Sequence, residues 1–276
     1  MLTKRGTGAA GNGRAATTAF RLEAHGLRKS FGTRRAVDGV DLSVGEGEIV
    51  GLLGPNGAGK TVTFYLISGM LQPDAGVITI GGEDVTNQSM VKRAQRGLGY
   101  LSQERSIFRH LTAEENIALV YECHGKKGRD AEFRARKLLA KFGLSELADV
   151  RASRLSGGEQ RRLEVARAIA SEPRIIMFDE PFAGIDPLTI EMLHAMILDL
   201  KQAGIGVLLT DHNVIEAFAL CDRAYVLFDG QVIAEGSSAE LIRSPVVRHY
   251  FLGESFGAPP AGEHARAVTS MLETAS

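Results

Sequence analysis

One stretch limits what this chain can become more than any other: Glu48 to Gly69, centred on Gly54-Pro55-Asn56-Gly57-Ala58-Gly59-Lys60-Thr61. It fits Gly-x-x-x-x-Gly-Lys-[Ser/Thr], a loop that wraps the phosphates of a nucleotide. An apolar run over 49–53 precedes it, and a helix-compatible segment, Thr61 to Ser68, follows. In that order, consecutive backbone N–H groups of the glycine-rich turn point inward as an anion nest, and the helix adds its positive end. Lys60 can then reach the β- and γ-phosphates, and the Thr61 hydroxyl can ligate Mg²⁺. The four fixed positions arise by chance in about one chain in a hundred of this size. The flanking strand and helix make coincidence rarer, so the chain is expected to bind a nucleoside triphosphate.

At 276 residues there is room for one large core, or one core with a subdomain. Hydrophobic residues at 44% and charged residues at 24% describe an ordinary globular protein. A formal net charge of −1 offers no global field to gather nucleic acid. Cys123 and Cys221 match neither a metal spacing nor a disulfide framework, so a reducing interior is expected. No apolar run approaches the roughly 18 residues of a membrane span. If the protein works at a membrane, something else must cross it.

Residues 1–19 lack an apolar signal-peptide core and read as a disordered tail; 257–276, with Pro259-Pro260, read as a second loose tail. Between them the pattern predicts strands over 21–25, 36–44, 49–53, 76–80 and 97–101. From about 106 to 154 the character turns helical. Thr112 before Ala113-Glu114-Glu115 reads as a helix cap, and a helix over 130–142 carries Phe133, Leu138, Leu139 and Phe142 at helical spacing. Further on, helices are expected over 159–170 and 188–202, strands at 175–178 and 207–210, a short helix after His212, and a hairpin around Asp229-Gly230. Strands alternating with helices predict an α/β fold with a mostly parallel sheet covered on both faces.

Two further stretches carry chemistry. The apolar run Ile175 to Phe178 ends directly in Asp179 and Glu180. Ligands of open α/β sheets bind beyond the carboxyl ends of strands, where this pair would lie. Asp179 is placed to hold the Mg²⁺ shell, and Glu180 to orient or deprotonate an attacking water. Leu155-Ser156-Gly157-Gly158-Glu159-Gln160 offers free N–H groups and a helix dipole to an anion. Alone, such a segment is often only a turn and a cap. Beside a loop that already cradles phosphates, it points to a second molecule.

Together, Gly54–Thr61, Leu155–Gln160 and Met177–Glu180 resemble the nucleotide-binding subunit of an ATP-binding-cassette (ABC) transporter, over roughly residues 20–256. The resemblance implies a P-loop NTPase core, an antiparallel β subdomain and a helical subdomain inserted at about 106–154. It implies ATP and Mg²⁺ as ligands, and a homodimer in which each Ser156–Gly158 segment closes over the partner's ATP. Phe31 matches the aromatic that stacks on adenine. Gln103 matches the glutamine between the γ-phosphate with its metal and the membrane partner, Asp186 the loop crossing the dimer interface, and His212 the switch histidine. The catalytic set so implied is Lys60, Gln103, Glu180 and His212. Two positions depart from the usual pattern: Val62 follows Thr61 where Thr or Ser is common, and Phe31 replaces Tyr.

Finer stretches (101–111, 179–187, 210–214, 221–225 and 250–254) resemble the lipopolysaccharide-export branch. That branch implies a peripheral protein on the cytoplasmic face of the inner membrane, with permease subunits contacted near Gln103, Phe108 and Arg109. Phe108 has a second reading, as a plug in the core of the helical insertion. The branched-chain amino-acid importer ATPases share the layout. A soluble ABC ATPase acting on nucleic acid or ribosomes is disfavoured by the single motif set and the absence of sustained heptads. Intact Lys60, Asp179, Glu180 and His212 argue against a non-hydrolysing regulatory module.

Overall fold

A computed structural model describes residues 20–104 and 106–253. Both expected tails lie outside the described residues. The first part of the chain holds strands β1 (Arg21–Phe31), β2 (Arg34–Gly45) and β3 (Ile49–Leu53), then helix α1 (Lys60–Ser68). Strands β4 (Ala75–Ile80) and β5 (Glu83–Asp84), helix α2 (Met90–Gln95) and strand β6 (Leu98–Leu101) follow. Next come helices α3 (Ala113–Cys123), α4 (Arg129–Lys141) and α5 (Gly157–Ile169). The last third alternates β7 (Ile175–Asp179), α6 (Pro187–Gln202), β8 (Gly206–Thr210), α7 (Val214–Leu220), β9 (Arg223–Phe228), β10 (Gln231–Gly236) and α8 (Ser238–Arg243).

Two sheets result. Strands β2-β1-β4-β5 form an antiparallel sheet, and β10-β9-β3-β8-β7-β6 form a second in which only the β10–β9 hairpin is antiparallel. The expected α/β class with a mostly parallel sheet is therefore observed. Strands β3, β7 and β8 are buried at every position, because helices or a second sheet cover both faces and neither face meets water.

Alternation along these strands divides the interior into two cores. Ile49, Leu53, Ile176, Phe178, Val207 and Leu209 face one core, shared with α3 to α6. Val50, Leu52, Ile175, Met177 and Leu208 face the other, with Phe64, Leu66 and Ile67 of α1 and the antiparallel sheet. Parity then puts Asp179, two residues after Met177, on the α1 face at the carboxyl end of β7.

Two aromatic residues of the helical stretch lie outside its core. Phe133 is 69% exposed; the inward face of α4 is instead Ala131, Ala135, Leu138 and Leu139, since small alanines let α3 and α4 approach closely. Phe108 does not plug the core. Its neighbour Ile107 is buried while Phe108 is 48% exposed, with the Arg167 guanidinium 5.1 Å from its ring centre.

Candidate functional site

The loop between β3 and α1 turns on glycines that no other residue replaces. Gly54 has φ 146° and a Cβ there would sit 2.2 Å from the Leu227 carbonyl oxygen; Gly59 has φ 107° and its Cβ would meet the Ala36 oxygen at 2.5 Å. The Asp229-Gly230 turn of the β9–β10 hairpin supports the loop, with the Gly230 N–H donating to Ala58 O at 2.9 Å. Gly59 caps α1 with no side-chain hydrogen bond, so the first-turn N–H groups of the helix are left for an outside acceptor. Lys60 is buried and donates to Gly54 O (2.7 Å) and Pro55 O (3.0 Å). Burial pushes its pKa below the ordinary lysine value, against the opposing pull of Glu180, Asp179 and Asp211.

A cavity of about 420 Å³ opens over this loop, lined by Phe31, Asn56, Gly57, Gly59, Lys60, Thr61, Val62 and Glu180, with Arg34 and Ala36 on the β2 side. Phe31 is 51% exposed at the end of β1 and lines the cavity rim. Arg34 was not among the expected residues. It reaches to 3.5 Å of the Gly57 carbonyl and adds a cation at the rim; its signal was its place just across the tight Gly32-Thr33 turn from Phe31.

Asp179 is only 4% exposed. Its Oδ2 accepts a hydrogen bond from the Tyr100 hydroxyl at 3.1 Å. Burial raises its pKa, with the Tyr100 hydrogen bond acting against that rise. Burial likewise raises the Tyr100 phenol, and the adjacent Asp179 charge adds to it. At Glu180 the backbone turns to φ 47°, which takes the side chain out of the strand alternation. Its Oε2 accepts from Gln103 Nε2 at 2.7 Å and lies 3.4 Å from His212 Nδ1. Asp211, fully buried, accepts from the backbone N–H groups of Phe182 (3.1 Å) and Asn213 (2.7 Å), so it locks the turns after Glu180 and around His212 to each other.

The structure therefore gathers Phe31, the 54–62 loop, Asp179, Glu180, Gln103 and His212. It leaves Ser156, Gly157 and Gly158 apart from the cavity over Lys60. Ser156 caps α5: its Oγ accepts from the Glu159 N–H (3.4 Å) while Glu159 Oε2 accepts from the Ser156 N–H (2.7 Å). Gly157 and Ser156 are exposed. Gly158 packs on α6, where a Cβ would lie 2.8 Å from Thr189 Oγ1. That hydroxyl donates to Asp186 Oδ2 at 2.7 Å, and Asp186 caps α6. The glycine segment and the Asp186 turn thus form one exposed surface.

The residues fit a magnesium ion. Asp179 is a buried carboxylate that accepts from Tyr100, Thr61 offers a hydroxyl at the start of α1, and the buried Thr210 Oγ1 has no hydrogen-bond partner among the described residues. Oxygen donors of this kind suit a hard divalent cation that keeps several waters. Among the described residues no cluster of three or more His, Cys, Asp and Glu side chains is placed to hold a metal.

Residues 37–183 match the ABC transporter family. The chain is 49% identical over 235 residues to an uncharacterized ABC transporter ATP-binding protein of Rhizobium meliloti, covering 85% of this chain and 87% of that one. It is 47% identical to the lipopolysaccharide export system ATP-binding protein LptB of Acidithiobacillus ferridurans and 45% identical to LptB of Escherichia coli K12, each over 85% of this chain and 98% of the relative. Among solved structures, the ADP conformation of MJ1267, an ATP-binding cassette of an ABC transporter, superposes with a TM-score of 0.76 at 31% identity, covering 86% of this chain and all of that one. With Glu180 bordering the cavity over the phosphate loop and these relatives matched over most of its length, this chain belongs to the ABC transporter family, as one of its ATP-binding cassettes.

Proposed function

We propose that this chain is the ATP-hydrolysing subunit of a transporter that extracts lipopolysaccharide from the inner membrane through partner permease subunits. The hydrolytic part rests on one observation: the Glu180 carboxylate borders the cavity over Lys60 while Gln103 and His212 both lie against its Oε2. The substrate rests on 45–47% identity to relatives named as lipopolysaccharide export ATP-binding proteins.

In this reading ATP lays its triphosphate over the 54–61 loop and its base against Phe31. Thr61, Gln103 and Asp179 would hold Mg²⁺, which would supply charge neutralisation for the phosphates. Lys60 exchanges its two loop carbonyls for phosphate oxygens. Glu180 accepts a proton from the attacking water as its oxygen bonds to the γ-phosphorus and the bond to the ADP oxygen breaks. Gln103 and His212 keep Glu180 aimed, and that positioning is their catalytic contribution. A second copy supplies Ser156, Gly157, Gly158 and Asp186 across the nucleotide, related by a two-fold axis. The exposure of Ser156 and Gly157, and their absence from the lining of the Lys60 cavity, support this arrangement.

No helix among the described residues is long and apolar enough to cross a membrane. Membrane attachment therefore falls to the permeases, met by exposed Phe108 and Arg109 beside Gln103. Glu180→Gln tests the hydrolytic reading. Turnover is expected to fall on the order of a hundredfold or more, with ATP binding kept and a dimer visible by gel filtration in ATP. Only monomer in ATP, together with normal turnover, refutes it. Permease subunits captured from detergent-solubilised membranes test the transport reading; capture of ribosomes or DNA instead refutes it.

A further inference from the structure

Three polar side chains close the carboxyl ends of adjacent strands: Tyr100 near the end of β6, Asp179 on β7 and Thr210 on β8. Strand alternation sets all three on the α1 face. Tyr100 has the parity of Leu98, Asp179 that of Met177 and Thr210 that of Leu208, and those apolar residues share one core with α1. Asp179 and Thr210 are direct register partners.

The Tyr100 hydroxyl donates to Asp179 Oδ2 at 3.1 Å, and no other hydrogen bond reaches this carboxylate among the described residues. A buried carboxylate normally collects several donors. This one has a single donor on one oxygen, and the buried hydroxyl in register beside it, Thr210 Oγ1, has none. Rotation about the terminal torsion of an aspartate is soft, so a donor fixed on Oδ2 sets the plane of the group and the direction in which Oδ1 faces.

Resting on the reading of Asp179 as a metal ligand, we infer that Tyr100 is a positioning residue whose hydroxyl orients the Asp179 carboxylate toward the Mg²⁺ that accompanies ATP. Outer partners of metal ligands act in this way, by holding the ligand before the metal arrives. The effect expected of Tyr100 is on metal affinity.

Tyr100→Phe removes one oxygen atom. In the full chain, Mn²⁺ binding is followed by the electron-spin resonance of free Mn²⁺ in the presence of a non-hydrolysable ATP analogue, and analogue binding is measured separately in EDTA. Mn²⁺ affinity is expected to fall on the order of tenfold, with affinity for the metal-free analogue unchanged. Tyr121→Phe, which removes the hydroxyl of a buried tyrosine on α3, should change neither. Native Mn²⁺ affinity in Tyr100→Phe overturns the inference, and so does an equal loss in Tyr121→Phe or a matching loss of affinity for the metal-free analogue. If the native chain with analogue binds no Mn²⁺, the assignment of Asp179 as a ligand fails first, and this inference with it.

Discussion

Glu180 follows a strand of five buried residues, yet its φ of 47° is one that side chains other than glycine seldom adopt, at a cost of about 1 to 2 kcal/mol. The Glu180 N–H donates to Thr210 O at 2.8 Å, so the strained turn is held by the neighbouring strand end. The strain has a use: it directs the carboxylate to the place where Gln103 and His212 meet. The residue type was legible in the sequence, as an acid directly after an apolar run, whereas the backbone angle was not. Gly59 makes the converse point. Gly59→Ala places a Cβ 2.5 Å from the Ala36 oxygen at φ 107°. It should cost roughly 1 to 3 kcal/mol in urea denaturation and abolish ATP binding in a titration, because the loop has to move. Arg93 could not have been found by pattern, since an arginine in the polar stretch after Ser89 reads as surface. It is fully buried and donates to the carbonyls of Leu66 and Ile67 at the end of α1 and to those of Thr86 and Gln88. Burial lowers its pKa to about 10. Arg93→Met strips charged donors from four carbonyls and should destabilise the chain by roughly 3 kcal/mol or more. An unchanged melting temperature would mean water replaces it.

Elements were legible where one physical signal stood alone. The runs that became β3, β7 and β8 are apolar throughout because both faces are covered, and Thr112 with Glu115 forms the capping box that its spacing announced. Helix α5 starts at Gly157, two residues before the expected start, because Ser156 is its cap; the glycines masked the first turn. Helices α2 and α8 went unseen, as six residues carry too little periodicity to read. Contacts between elements are the other hidden layer. His194 of α6 lies with Nε2 3.1 Å from Glu216 Oε2 of α7 and stacks edge-on against Phe182 at 4.9 Å. The pair ties the helix after Asp186 to the helix after His212. Burial lowers the His194 pKa below 6.5, with Glu216 opposing. A histidine depressed by folding binds fewer protons in the folded state, so stability is full above the unfolded value and is lost as pH falls through 6.5 toward the folded value. His194→Gln should flatten that acid limb, which is read from urea midpoints at about pH 5.5 and 7.5. An acid limb as steep as the native one would assign it to other groups.

At the scale of the whole molecule the Ser156 segment stands outside the lining of the cavity over the phosphate loop. Ser156 and Gly157 stand exposed, while Gly158 and Asp186 are joined through Thr189. Gly157 also borders a small cleft with Gln103 and Glu180, so the far edge of the Glu180 site runs into the glycine segment without that segment reaching Lys60. A two-fold pairing that laid this surface against the cavity of a second copy would complete two identical centres at once. Sequence motifs carry no information about which copy they serve, so this arrangement could be read only through a resemblance. It has a direct consequence for mixed variants. A Ser156→Arg chain keeps its own loop but spoils the partner's nucleotide, and a Lys60→Ala chain does the reverse. Either homodimer has no intact centre. In a mixed dimer, the intact loop of the first chain faces the intact Ser156 of the second, and the other centre is doubly broken. Random pairing makes half the dimers mixed, each with one working centre of two, so hydrolysis should return to about a quarter of the native rate if the centres act independently. Strict alternation between centres lowers that figure without removing it. Ser156→Arg and Lys60→Ala chains that stay silent together, while gel filtration shows that they pair, would mean that each copy hydrolyses ATP with its own residues alone.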